Sequence, residues 1–253
     1  MQKLKEAYHE VERILSSHIE PLESVKLVEE YRRYWKPEKV RVVLLAESHV
    51  FTSDEDRRIV IPHIDDLPGY PTRYARFVYC LGCGERTLTK NPHHPRGDGT
   101  PQFWKVLYAC NNPITTLEDF LPVLGETPPR QRLRNKIVLL KELKEKGIWL
   151  VDASVVGLYR KREKVLGVAA AIRESWRSYT RQVITSVNPD HVICVGKGVA
   201  EIVKKDLETL YPNRHTVFNQ PNTHRPVKMS LEEFRKKQLE NFQMYHAICN
   251  PRP

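Results

Sequence analysis

The sequence predicts an α/β fold in three layers, with a central, mainly parallel four-stranded sheet between helices. Two observations carry that expectation. The runs in "KVRVVLLAES", "GIWLVD" and "PDHVICVG" are continuously apolar and β-rich, as strands buried on both faces are. Segments with helical spacing separate these runs along the chain, and alternating strands and helices build a parallel sheet covered on both sides. With 253 residues, 40% of them hydrophobic, a sizeable core is within reach, and residues 1–253 are read as one domain.

The elements follow in chain order. Residues 3–35 place Leu4, Tyr8, Val11 and Leu15 three or four apart and read as helical, ended by Lys36 and Pro37, so that residues 1–36 form an N-terminal helical extension. The first strand comes directly after it. Residues 52–102, broken by Pro, Gly, His and charge, are too long for an ordinary connection and mark a functional loop region. "TPQFWKVLYAC" opens a helix with Thr100 as N-cap and Pro101 at the first helical position. "RQRLRNKIVLLKELKEKG" is another, closed by Gly147, which hands over to the strand "IWLVD". Residues 169–187 form a further helix, "KGVAEIVKKDLETLY" follows the third strand as a helix, and "RHTVFNQPN" reads as a short last strand. In the final helix, "SLEEFRKKQLENFQMYHAI", Ser230 and Glu233 have the spacing of a capping box.

Composition narrows the class of protein. No apolar run approaches the roughly 18 residues needed to span a bilayer, and the N-terminus alternates charge with Leu and Val where a signal peptide has an apolar core. Five cysteines, an odd number, make no disulfide framework and fit a reducing compartment. The expectation is a soluble, cytoplasmic monomer with no membrane partner. A formal net charge of +10 favours polyanionic partners, nucleic acid first.

Ligands of such sheets bind outside the carboxyl ends of the strands. The rule gathers "AESHVF", "DASVVG", "GKG" and "NQPNTHRP" around one crevice, and puts Asp152, which closes "GIWLVD", at the mouth of a site.

Over roughly residues 40–245, and in the right order, these segments resemble the uracil-DNA glycosylase superfamily. "AESHVF" occupies the place of a first motif such as GQDPYH, GEAPG or GINPG. "GIWLVD" is similar to GVLLLN, with Asp152 where the family has a base-reading Asn. "FWKVLY" and "VICVGKGVAEIV" resemble a helix and the third strand of the mismatch-specific branch, and Gln220, Pro221 and Asn222 stand where other members have HPS or NPS. The resemblance implies a monofunctional DNA glycosylase that flips a nucleotide out of the helix and hydrolyses its N-glycosidic bond, with no cofactor.

It also implies roles for residues. Glu47 falls on the Glu of GEAPG and would handle the water, because Ser48 stands where the GQDPYH branch has its Asp. Gln220 replaces the His that stabilises the departing base, and Ser48, His49, Asn222 and His224 lie with the substrate. Phe77 takes the place of the ring that stacks on the flipped base; by pattern alone it is equally a core aromatic of an alternating strand, sharing a face with Tyr79. Arg225 or His224 would wedge into the minor groove, Arg160 and Lys161 lie in a basic loop able to clamp phosphates, and Lys197 of "GKG" is a further DNA-binding candidate.

Asp152 bears on substrate choice. An Asn matches uracil through one donor and one acceptor, whereas an ionised carboxylate only accepts, which suits the exocyclic amine of cytosine. Val50 stands where one branch has a Tyr that blocks groups at C5, so a modified cytosine-type base, in double- or single-stranded DNA, is the expected substrate. Two alternatives fit the same residues: a catalytically silent nucleic-acid-binding module of the same fold, and a uracil or hypoxanthine glycosylase with Asp152 turned away. Asp152 could also simply cap a turn. Finally, Cys80 and Cys83 form a CxxC followed by His93 and His94, and with Cys110 these could hold zinc; the competing expectation is free cysteines and no metal.

Overall fold

A computed structural model describes residues 1–16, 19–89, 100–160, 166–219 and 226–251. Its centre is a four-stranded parallel sheet of β1 (Val42–Ala46), β2 (Ile148–Asp152), β3 (His191–Val195) and β4 (His215–Phe218), in the order β2-β1-β3-β4. Helices α1 (Gln2–Leu15) and α2 (Leu22–Tyr34) precede the sheet. Between β1 and β2 lie α3 (Asp54–Arg58), α4 (Arg86–Thr89), α5 (Pro101–Asn111) and α6 (Pro129–Glu145). Helices α7 (Val168–Ser175) and α8 (Arg181–Val187) lead to β3, α9 (Lys197–Leu210) joins β3 to β4, and α10 (Leu231–Cys249) follows.

The strand order explains the layers. The chain steps from β1 to β2 in one direction, then reverses across β1 to reach β3 and β4. Right-handed crossovers therefore put the two sets of connecting helices on opposite faces. Accordingly α1, α7 and α9 pack together, while α5 packs with α6 and α10. Central β1 is covered on both sides, and Val43, Leu44 and Leu45 are fully buried. The three-layer α/β/α arrangement expected from the continuously apolar runs is the one observed. Among the described residues, no helix is long and apolar enough to cross a membrane.

Several local expectations are corrected. The helix expected over residues 3–35 is two helices, because Ser16 takes a left-handed φ of 51° and Pro21 occupies the cap position of α2. The break brings Glu20 into the interior, where it is fully buried. Residues 169–187 are helical but pass through a π turn at Trp176–Thr180. The long region 52–102 holds α3, capped by a Ser53–Asp56 box, and α4; its residues 90–99 lie outside the described ones. Thr100 precedes α5 but makes no side-chain cap bond. Ser230 does cap α10 through the Glu233 amide at 3.1 Å, although the Glu233 carboxylate pairs with Lys237 and leaves the box half formed. Gly147 closes α6 as expected, with φ 76°, and an added Cβ would meet the Lys39 carbonyl at 2.7 Å.

The long region is anchored by a buried charge cluster. Glu85 accepts from Arg132 Nε at 2.8 Å, Arg132 Nη2 at 3.0 Å and Lys136 Nζ at 2.6 Å, and Lys136 also lies over the Trp104 ring at 4.5 Å. Burial pushes the Lys136 amine down and Glu85 counters it. Removing one member of such a group leaves buried charges unpaired. Glu85→Ala should therefore lose about 3–5 kcal/mol of unfolding free energy; a urea midpoint that hardly moves would show that residues around 85 are not tied to α6 in this way.

Candidate active site

The register of the sheet creates the site. β1 and β2 pair so that Ala46 lies opposite Asp152, and the ladder continues past the strands through Ala153 N to Ala46 O at 2.7 Å and Ser154 N to Glu47 O at 3.0 Å. Asp152 is thereby held beside the segment Glu47–His49, at the carboxyl ends of the strands and next to the point where strand order reverses. A cavity of about 210 Å³ opens there. Leu150, Val195, Val50 and Val78 give it apolar walls, Phe77 and Phe103 give it rings, and Glu47, Arg76, Gln102 and Asp152 give it polar groups. It is small beside the roughly 300–1,000 Å³ of drug- or cofactor-sized sites, and suits one ring system better than a dinucleotide.

Behind this cavity runs a buried chain of alternating charge. Glu20 Oε1 meets His49 Nε2 at 2.8 Å, and His49 Nδ1 meets Asp152 Oδ2 at 3.1 Å. Arg32 Nη2 reaches the same Oδ2 at 3.1 Å, while its Nη1 binds Glu29 at 2.6 Å. Glu29 in turn accepts from Arg33 at 2.8 Å and from the Tyr179 hydroxyl at 2.8 Å. Burial alone would push the His49 imidazole down, but Glu20 and Asp152 outweigh it and hold the ring up at about 9. His49 is therefore an imidazolium at neutral pH, donating from both nitrogens. Burial also opposes the charge of Glu29, yet Arg32 and Arg33 keep its carboxyl below the usual range. Both bonds to Asp152 use Oδ2; Oδ1 has no hydrogen bond among the described residues.

Local structure explains how the chain is assembled. Glu20 enters because the N-terminal helices break, and its Oε2 takes the Gly157 amide at 2.9 Å. An added Cβ at Gly157 would collide with Glu20 and with Phe51 N at 2.6 Å, so the position needs glycine. The π turn sets Tyr179 on Glu29 and places the Thr180 hydroxyl against the carbonyls of Asp152 and Ala153, at 3.3 and 3.2 Å. Such turns recur at functional sites.

The expected site residues sort into three groups. Glu47, Phe77 and Asp152 line the cavity together with Val50. Asp152 is at the base of the site and not at its mouth, being 3% exposed. Glu47 receives a hydrogen bond from the Tyr159 hydroxyl at Oε2, and burial and Glu47 together push the Tyr159 phenol up, so it remains the donor. Ser48 and His49 also line the cavity, but their polar atoms are committed elsewhere. Ser48 Oγ donates to the His49 carbonyl at 2.9 Å and accepts from Leu158 N at 3.1 Å, which fixes the loop and leaves no substrate contact to assign. His49 spends both ring nitrogens on carboxylates. Phe77 lies in a turn, not an alternating strand; its ring stands edge-on to His49 and Tyr79, with the Arg32 guanidinium 5.8 Å from its centre.

The second group comprises two residues that do not line the cavity, Lys197 and Arg160, and those that the structure does not describe. Lys197 is exposed at the start of α9, and the Arg160 guanidinium lies 3.8 Å from the Phe51 ring centre beside the site. Gln220, Asn222, His224, Arg225, Lys161, His93 and His94 lie outside the described residues. The cysteines form the third group. Cys80, Cys83 and Cys110 are buried, and burial raises all three thiols. Cys110 interacts with Cys249 of α10, and among the described residues no three His, Cys, Asp or Glu side chains gather as a metal site.

Sequence reasoning missed Glu20, Glu29, Arg32, Arg76 and Tyr159. For the pair on α2 a signal existed: Val25, Val28, Glu29 and Arg32 fall on one stripe at helical spacing, so two charges sit on a buried face. The geometry defines the class: a parallel three-layer α/β protein with a small, ring-sized cavity at the carboxyl ends of its sheet, backed by buried ion pairs. The chain matches no family model, no curated protein and no solved structure.

The charge chain makes stability depend on pH in a defined direction. His49 has a folded pKa raised from 6.5 to about 9, so its contribution is complete below 6.5 and is lost as pH rises through 9. The urea midpoint should fall between pH 6.5 and 9, and His49→Gln should flatten that slope. A midpoint that rises over the window would contradict the ion-pair assignment.

Proposed function

We propose that this chain is a monofunctional DNA glycosylase that hydrolyses the N-glycosidic bond of an extruded, amino-bearing base of modified cytosine type. One observation carries the reading. A cavity of single-ring size is lined at once by Glu47, Asp152 and aromatic rings, groups drawn from widely separated parts of the chain. The resemblance of the strand-end motifs to uracil-DNA glycosylases and the net charge of +10 support it independently.

In this mechanism the base enters against Phe77, and its exocyclic amine donates to Asp152. Arg32 and His49 can only donate, and they occupy Oδ2, so Asp152 offers Oδ1 to the base as a pure acceptor. Val50 at the wall leaves room for a substituent at C5. Glu47, with one oxygen held by Tyr159, uses the other to take a proton from the water that attacks C1′. The oxocarbenium-like sugar is stabilised by that carboxylate and by the DNA phosphates. The resemblance adds Gln220 and Asn222 as partners of the departing base or a phosphate. No step requires a metal or cofactor.

A second reading, a module of the same fold that binds DNA without cleaving it, is favoured by the Tyr159 bond that already occupies Glu47. Base release separates the two. On duplexes carrying one modified cytosine, Glu47→Gln should keep DNA affinity while release falls by about 100-fold or more; a protein releasing no base from any duplex supports the binding module.

Affinity for DNA itself should fall steeply with salt, by orders of magnitude over a few-fold rise, because Lys and Arg contacts to phosphate release counterions. A flat salt response would remove nucleic acid as the partner.

Asp152→Asn tests base choice. The Asn oxygen must face Arg32 and His49, which turns its NH2 toward the base. Selectivity for uracil over cytosine-type bases should rise by roughly 10-fold or more in single-site duplexes. An unchanged ratio would mean that Asp152 does not read the base.

A further inference from the structure

If the glycosylase reading holds, charge must be managed at the leaving group. The C1′–N bond breaks with its electron pair going to the ring nitrogen, so the base departs as an anion that solvent later protonates. Water delivers hydroxide to C1′ and its proton to Glu47. A donor fixed near the departing ring would lower this barrier, and the resemblance supplies only the uncharged Gln220 for that task.

Among the described residues lining the cavity, the cations are His49 and Arg76. Both nitrogens of His49 are spent on Glu20 and Asp152. Arg76 differs. Its Nε and Nη2 bind Asp56 at 2.8 and 3.0 Å, and Nη1 has no hydrogen bond among the described residues. The clamp is itself fixed: Asp56 belongs to the box that caps α3, taking the Ser53 amide at 3.0 Å, and the Arg76 amide donates to Thr52 Oγ1 at 2.9 Å. The fork is thus preorganised, with one donor end left over. A second observation points to the same ligand. Thr100 lines this cavity, and its buried Oγ1 has no partner among the described residues. A buried hydroxyl in that state calls for an oxygen or nitrogen supplied from elsewhere.

We propose that Arg76 and Thr100, which both line the cavity, form an anion-accepting subsite that takes the negative charge of the departing base. The ligand class is a planar heterocycle ionised on its ring. Arg76 is then a catalytic residue of the proposed reaction, in the role left open by Gln220.

The test has two arms. Calorimetric titration with free 5-nitrouracil, ionised at pH 7.5, and with thymine, neutral and comparably substituted at C5, should show the anion bound about tenfold or more tightly. Arg76→Gln should remove that preference. Because this variant leaves Asp56 unpaired, Asp56→Asn/Arg76→Gln is measured beside it as the charge-balanced control. No preference in the original protein, or a preference surviving in both variants, overturns the proposal. In the second arm, single-turnover release is measured from duplexes carrying 5-methylcytosine, a poor leaving group, or 5-fluorocytosine, a better one. Arg76→Gln should slow release by about 100-fold, and more for the poorer leaving group. Equal losses on both substrates overturn the Arg76 role and leave the glycosylase reading intact. Arg76-dependent anion binding without any base release by the original protein removes that reading and leaves the anion subsite standing.

Discussion

Everything around the site depends on pairing the Asp152 carboxylate, which lies almost fully buried in the wall of the cavity. A buried carboxylate without partners is among the costliest features a fold can carry, and removing one partner of a buried pair costs about 3–5 kcal/mol. The solution here is alternation: Glu20, His49, Asp152, Arg32 and Glu29 follow one another within 2.6–3.1 Å, each charge next to its opposite. Helix α2 supplies Glu29 and Arg32 and the break before it supplies Glu20, so the N-terminal region is part of the site and not an appendage to it. The broken helix, the glycine at 157 and the π turn before α8 can each be understood as backbone adjustments that let this chain of charge close.

Alternation also fixes chemistry. Because the donors behind Asp152 have no acceptor to offer, the carboxylate has one orientation and one hydrogen-bonding character. A low-dielectric surround strengthens each bond and raises the cost of leaving any of them unmade. The cavity in front is then polar at chosen points only: an acceptor in Asp152, a carboxylate in Glu47 steadied by Tyr159, and a guanidinium in Arg76 steadied by Asp56. Each functional group is held by a neighbour drawn from another element.

Sequence made the frame visible because burial on both faces leaves a one-dimensional trace. "VVLLA", "IWLVD" and "HVICV" are apolar without alternation, and that pattern survives without knowledge of any contact. The carboxyl-end rule likewise brought Glu47 and Asp152 to one crevice. What it could not give was the depth of Asp152, since a charge at a strand end reads as solvent-facing until its partners are known. Those partners are 120 and 103 residues away along the chain, and such pairing leaves no local pattern. His49 looked like a ligand for substrate for the same reason. Ser16 and Pro21 could have been read as a break, but the apolar spacing on either side of them is nearly continuous.

The charge state of His49 is the most direct measure of the account. In ¹⁵N-resolved NMR spectra at pH 8, where an ordinary imidazole is neutral, both ring nitrogens of His49 should carry protons, with the slow exchange of a buried donor. That result is expected if Glu20 and Asp152 both accept a hydrogen bond from the ring. A single bare ring nitrogen at that pH would contradict it, because the alternation of charge behind Asp152 would then be broken at its second member.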